Sequence, residues 1–368
     1  MSAHAEYVEA LSYSLSHLAG SALFAFNSNA DFVTRVGPAF AAAARNPASG
    51  FRPVLSSILK GESREFRVSK TTAGWIEKSF DWRDRRMGGQ AGIMANAASA
   101  LGVEASAYAI RLSPEQCSLF TEKITPCGNK SALTSKHFVF EFAKGARILG
   151  KTIPATDRVI ASHDPAHSSL AISALFKRQS VRLAPSLDCA VVSGFQGLSP
   201  GFAGRRIPEA TRLVRAWKKE NPGLRVCLEL GDFASGSVLR KTLETLLPAV
   251  DSLGMNELEA SASLRALGLA RISQLSAKVP EMVVHQKEGS RIYGFSPREG
   301  ARKAAMFGHM LAAFKARTGT DAAIPAIKRF MGERHAYSKF SGIPSIREKP
   351  KFTVGLGDTF AAGFALVR

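Results

Sequence analysis

The chain has 368 residues, 45% of them hydrophobic, with 49 Lys and Arg against 30 Asp and Glu for a net charge of +19. That length and apolar content support a sizeable core, in one large domain or a large domain with a small one. The basic residues are scattered, with no run of five and no aromatic–basic interleaving, which argues against an RNA-binding module and for a positive field that attracts anionic phosphate substrates. No apolar stretch approaches the roughly 18 residues of a membrane span, and Met1 to Glu6 carries acid rather than a basic leader. Cys117, Cys127, Cys189 and Cys227 stand far apart without C-x-x-C or Cys/His spacing. No structural metal or disulfide framework is expected, and a reducing cytoplasm fits best.

In chain order, Ala22–Phe26 reads as the first strand. It runs into Asn27-Ser28-Asn29-Ala30-Asp31, short polar side chains at a strand's carboxyl end, where α/β folds bind ligands. The same residues also suit an Asx-turn or a helix cap. A Pro/Gly/Ser-rich stretch, Asn46–Gly50, precedes strand-like Glu65–Val68. Gly88-Gly89-Gln90 then opens an Ala-rich helix; paired glycines allow close backbone approach, and an amide suits sugar hydroxyls. Phe138–Phe142 and Ala146–Leu149 flank Lys144-Gly145 as a hairpin would, and with residues 46–85 they predict a small antiparallel lid.

Ala105–Ile110, Arg158–Ala161, Cys189–Val192, Val226–Leu230 and Met282–His285 read as buried strands, separated by helical segments such as Ile207–Lys219 and Gly236–Leu247. This alternation argues for an α/β fold with a mostly parallel sheet covered on both faces. The expected division is a large nucleotide-binding domain from 1–45, 86–135 and 155–368, with a lid from 46–85 and 136–154.

The end of the chain carries the sharpest signal. Lys351–Val354 reads as the end of a strand, Phe360–Leu366 as a helix, and Gly355-Leu356-Gly357-Asp358 lies between them. A glycine turn opening onto a helix N-terminus presents unpaired N–H groups to an anion. Asp358 repels a static phosphate but suits the removal of a proton from an alcohol during phosphoryl transfer. A plain turn with Asp358 as cap has the same residues. Glu229 inside an apolar strand, with Asn256 and Glu259 three residues apart, makes a candidate Mg²⁺ shell; a salt bridge or cap is the competing assignment for each acid.

Taken together, five ordered stretches resemble the ADP-dependent sugar kinases of the ribokinase-like fold. They are Phe26–Asp31, Met87–Asn96, Ser193–Leu198, Ser252–Glu259 and Thr353–Thr359. The resemblance implies Asp358 as catalytic base, with Gly355, Leu356 and Gly357 as the phosphate turn and His285 beside them at the nucleotide. It implies Asn256 and Glu259 as the N-x-x-E magnesium motif, joined by Glu229. The family's H-x-E element here reads Cys227-Leu228-Glu229, without the histidine. Asn29, Asp31, Gly88, Gly89 and Gln90 match the sugar site. The implied reaction moves a phosphoryl group from ADP to a sugar hydroxyl with Mg²⁺. Arg158 is placed against a 6-phosphate, so fructose 6-phosphate is favoured, with glucose as a second acceptor. ATP as donor, or a basic binding protein on the same fold, are the alternatives. A cytoplasmic monomer or dimer is expected, without membrane or nucleic-acid partner.

Overall fold

The structure is a computed structural model that describes residues 2–368. Its strands in chain order are β1 (Ser21–Ala25), β2 (Asn29–Arg35), β3 (Arg64–Arg67), β4 (Asp84–Gly88), β5 (Glu104–Leu112), β6 (Ile124–Lys130), β7 (Lys136–Phe142), β8 (Arg147–Ile148), β9 (Lys151–Thr152), β10 (Asp157–Ser162), β11 (Cys189–Val192), β12 (Arg225–Glu229), β13 (Ser252–Asn256), β14 (Glu281–Gln286), β15 (Gly289–Tyr293) and β16 (Ile343–Pro344). Nine of them form one sheet in the order β16-β15-β14-β13-β12-β11-β1-β5-β6. Every pairing from β14 to β6 is parallel; β15 and β16 add an antiparallel edge.

Strand side chains alternate between two cores. Phe24, Val191 and Cys227 face the helices Gln90–Ala100, Ala301–Thr318 and Leu356–Leu366. Leu23, Val192 and Leu228 face the helices Pro200–Glu220 and Gly236–Leu246. Both faces are thus covered, as the β–α alternation predicts. No helix among the described residues is long and apolar enough to cross a membrane.

The remaining five long strands form a second sheet, β3-β10-β7-β2-β4. One face buries an aromatic core that includes Phe32, Phe40, Phe51, Trp82, Phe138 and Phe140. This lid is larger than 46–85 plus 136–154. It takes in β2, most of β4 and β10, whose polar residues read as loops or as large-domain strand. Only Phe26–Ser28 separates β1 from β2, so the chain passes between the sheets at the polar cluster itself.

Two further expectations are corrected. Phe138–Phe142 does not form a hairpin with Ala146–Leu149: β7 pairs antiparallel with β10 and parallel with β2, while β8 and β9 make a separate two-residue ribbon. The longer register with β10 buries Val139, Phe140 and Phe142, which a tight hairpin leaves half open. Lys351–Val354 is not a strand. It is an irregular approach to the last helix, with Val354 packed on Val33, Val139 and Ile160 of the lid.

Candidate active site

The site lies where the chain crosses between sheets. Asn29 and Gly88 are opposite one another on β2 and β4. Asn29 Nδ2 donates to Asp31 Oδ1 at 2.7 Å, and Asp31 is only 4% exposed. A Cβ on Gly88 would stand 2.0 Å from Asp31 Oδ1, so only glycine lets β4 lie against that carboxylate. Gly89 has φ +71°, and the helix Gln90–Ala100 starts immediately. Gln90 donates to Leu230 O and accepts from Gly194 N–H at 3.2 Å and from Gln196 Nε2 at 3.0 Å. It braces two loops around the cleft, those that follow β11 and β12. Burial raises the Asp31 carboxyl to about 6, partly offset by His137 and the Asn29 hydrogen bond.

Strand alternation puts a further set of side chains on the cleft face of the lid, among them Glu65, one of the two acids in Gly61–Glu65 that suit sugar hydroxyls. Opposite the faces that carry Phe138 and Phe140 lie His137 on β7 and Glu65 and Arg67 on β3. His137 faces Asp164 across 3.8 Å and Glu65 across 4.0 Å. Burial works against its charge, but the Asp164, Glu65 and Asp31 carboxylates raise it to about 9. His137, Asp164 and His167 hold donor atoms within 4.8 Å of one another, the one such trio found among the described residues. Asp164 Oδ1 accepts from His167 N–H at 3.0 Å, His167 Nε2 donates to Gly194 O at 2.6 Å, and His137 Nε2 is buried without a hydrogen-bond partner. Asp164, Glu65, Arg64 and Arg67 line an adjoining cleft of about 700 Å³. Counting every second residue along the strands was the signal that finds Glu65 and His137.

The phosphate turn closes the other side. Gly355 caps the helix Leu356–Leu366 in the left-handed region, φ +70°, and no side chain caps the N–H groups of the first turn. Thr359 donates through both N–H and Oγ1 to Gly355 O, at 3.0 and 2.8 Å, tightening the turn. A Cβ on Gly357 would stand 3.4 Å from His285 Cε1. His285 lies 3.2 Å from Glu229 Oε1, and its pKa is raised, burial being outweighed by Glu229 and by the Glu259 and Asp358 charges. Burial raises Asp358 to about 6, and the Glu229 charge adds to the rise. Arg158 stands on β10 of the lid sheet. Its positive charge opposes the rise at Asp31 and, after that of Lys315, at Asp358, and its Nε is buried without a protein partner.

Two assignments change. Asn256 accepts from Leu258 and Glu259 N–H, both at 2.9 Å, while its own N–H groups donate to the Glu259 carboxylate. This is a complete capping box. Asn256 therefore fixes Glu259, and its side-chain oxygen is taken up by two backbone N–H groups. Arg158, expected against a 6-phosphate, pairs with its neighbour Asp157 at 3.4 Å. Lys144, Arg147 and Lys151 are exposed, the last two on the β8–β9 ribbon.

Glu229, Glu259 and Asp358 form an all-oxygen acidic set whose charges act on one another; burial raises Glu259 to about 7. Such a set suits Mg²⁺ held through its own waters. Glu229 accepts from His285 with one oxygen, and its other oxygen lies against Gly254, where a Cβ would come within 1.9 Å.

A sequence profile of the ADP-specific phosphofructokinase/glucokinase conserved region matches residues 54–312. The ADP-dependent glucose/glucosamine kinase of Pyrococcus abyssi is 26% identical over 370 residues, covering 84% of this chain and 81% of that protein. The ADP-specific phosphofructokinase of Thermococcus kodakarensis is 27% identical over 234 residues, covering 56% of this chain and 50% of its own. A solved ADP-dependent kinase in complex with fructose-6-phosphate and ADPβS superposes with a TM-score of 0.82 at 19% identity, over 99% of this chain and 97% of that one. The adenosine kinase of Sinorhizobium meliloti superposes more loosely, with a TM-score of 0.51 at 16% identity, covering 85% of this chain and 94% of its own. Because that profile matches well over half of the chain, this chain belongs to the ADP-specific phosphofructokinase/glucokinase family.

Proposed function

We propose that the chain moves the β-phosphoryl group of ADP to a sugar hydroxyl, with Asp358 as the base. The observation that carries this reading is the glycine turn at Gly355, which opens a helix whose first-turn N–H groups no side chain caps and which carries Asp358 in that turn beside His285 and Glu229. Asp31 and Asn29 hold ring hydroxyls, and Asp358 takes the proton of the attacking one. A carboxylate held at about 6 is ionised at neutral pH yet basic enough to share that proton. The new O–P bond forms as the anhydride bond to the α-phosphate breaks, and AMP leaves. First-turn N–H groups from Leu356 to Asp358 and the Arg158 guanidinium face the charge on the transferring group. Glu229 and Glu259 would hold Mg²⁺ through its waters; when bound, the ion neutralises phosphate charge.

The acceptor reading keeps fructose 6-phosphate first, because Arg64 and Arg67 line the adjoining cleft and offer cations to a phosphate. Arg67 also donates to Gln196 O and Gly197 O, tying β3 to the large domain. Glu65, on the same strand, favours glucose as a second acceptor through its ring hydroxyls. Initial rates with each sugar against ADP and ATP, read as AMP or ADP formed, test the whole reading. AMP release dependent on a hexose is expected; faster turnover with ATP overturns the donor, and no turnover with any hexose overturns the reaction.

A further inference from the structure

The helix that carries Asp358 packs closely on two helices, through small side chains along part of its face and through Phe360, which lies against His285 and His309. Its neighbours are the helices Gln90–Ala100 and Ala301–Thr318. Ala361, Ala362 and Ala365 share a core with Ala91, Ala95, Ala304 and Ala305, and also with Phe360, Met94, Phe307 and Leu311. Gly308 and Gly363 meet backbone to backbone; a Cβ on Gly363 would stand 2.8 Å from Gly308 Cα. Small side chains allow close approach but leave shallow ridges, and interlocking ridges are what resist sliding of one helix past another.

The far end of the helix is held differently. Arg298 donates to Phe364 O at 2.7 Å and to Val367 O, and Arg225 donates to Ala365 O at 3.0 Å. Leu366 O accepts from Ala19 N–H at 2.8 Å. Both guanidiniums pair with Glu281, Arg298 Nε at 3.1 Å from Oε2 and Arg225 on Oε1, and both lie over the Phe364 ring. The Glu281 side chain is 4% exposed. Cations at a helix C-terminus also match the negative end of its dipole.

The anchors of this clamp belong to strands already present in the site. Arg225 begins β12, which ends at Glu229; Glu281 begins β14, which carries His285. Two strands therefore hold one end of the helix at their start and face its other end, with Asp358, at their finish. The helix has 11 residues, about 16 Å at ~1.5 Å per residue. A shift at the clamp moves Asp358 by the same amount against Glu229 and His285.

We infer that Arg298, together with Glu281 and Arg225, is a positioning residue for phosphoryl transfer: it sets the axial register of the helix Leu356–Leu366 and so the place of Asp358 and the phosphate turn. This rests on the proposed role of Asp358. A misplacement of about 1 Å costs up to about 10²-fold in a positioned reaction. The inference calls for loss of kcat with little change in KM.

The experiment compares Arg298→Lys and Arg298→Met with the parent and with Asp358→Asn, as kcat per folded molecule well below each thermal midpoint. Lys keeps the charge and can reach one carbonyl, whereas Met keeps the bulk and donates nothing. The expected order of kcat is parent, Lys, Met, with Met about 10–100-fold down and KM for ADP and sugar within about threefold. If Met does not fold, Lys alone decides. A lowered thermal midpoint with kcat per folded molecule unchanged in every variant that folds assigns Arg298 to stability only and overturns the inference. A fall in KM-controlled rates alone does the same. If Asp358→Asn keeps the parent rate, the base assignment fails instead, so the two failures are told apart.

Discussion

His285 and Glu229 face each other at 3.2 Å directly under the glycine turn that carries Asp358. They stand on β14 and β12, separated in the sheet by β13 alone. The negative charge of Glu229 is the second cause, after burial, of the raised Asp358 pKa. Glu229→Gln should therefore lower the Asp358 pKa from about 6. The acid limb of the kcat–pH profile, which reports loss of the ionised base, should move to lower pH. Magnesium held saturating separates this from metal binding. An acid limb that stays in place would show that Glu229 does not act on the base.

Asp358→Asn should slow the chemical step by about 10²–10⁴ while KM for ADP stays close to the parent value. It should also stabilise the protein at neutral pH. The folded-state pKa of about 6 exceeds the ordinary value of 3.8. The favourable contribution of the protonated group is thus complete below about pH 4 and lost as pH rises through about 6. Asn has no charge to bury, so its stabilising effect is largest above pH 6 and vanishes near pH 4. Thermal midpoints at pH 4.5 and 7.5 measure this, and a gain that does not grow with pH contradicts it.

Glu259→Gln should raise the Mg²⁺ concentration for half-maximal rate, since an amide orders the waters of the ion less well. Asn256→Ala should do so less directly, by removing both the cap and the donors that hold Glu259, with about 1 kcal/mol of stability lost. Magnesium titrations of initial rate separate the two from a purely structural role, which would leave the half-point in place.

Arg158→Ala should lower kcat with either sugar, because its positive charge acts on Asp358 as well as on Asp31. Arg64→Ala should instead raise KM for fructose 6-phosphate and leave glucose nearly unchanged, and Glu65→Gln should do the reverse. Steady-state constants for both sugars with all three variants check this. Equal effects of Arg64→Ala on both sugars would remove the phosphate assignment.

Gly88→Ala should raise KM for sugar without changing KM for ADP. Its Cβ would meet Asp31 and Asn29 at 2.0 and 2.5 Å, displacing the residues assigned to the hydroxyls. An unaltered sugar KM would mean that β4 can retreat from β2 at no cost to binding.

The sequence by itself determined the large sheet, because β1, β5, β11, β12 and β14 are short apolar runs buried on both faces and separated by amphipathic helices. It also determined the glycine turns at Gly88-Gly89 and Gly355–Asp358, whose backbone demands few other residues meet. Only the tertiary structure decided the extent of the lid, since Asn29–Arg35 and Asp84–Gly88 look polar until one face of each is covered. It alone brought His137, Glu65 and Asp164 together next to the strand that carries Asp31, from segments distant in the chain. The role of Asn256 was settled the same way. Spacing three residues from an acid serves a metal shell and a capping box equally well, and the two are told apart by where the hydrogen bonds go. The clamp of Arg225, Glu281 and Arg298 left no local pattern, because its members lie on three elements and their target is backbone carbonyl groups, which every residue has.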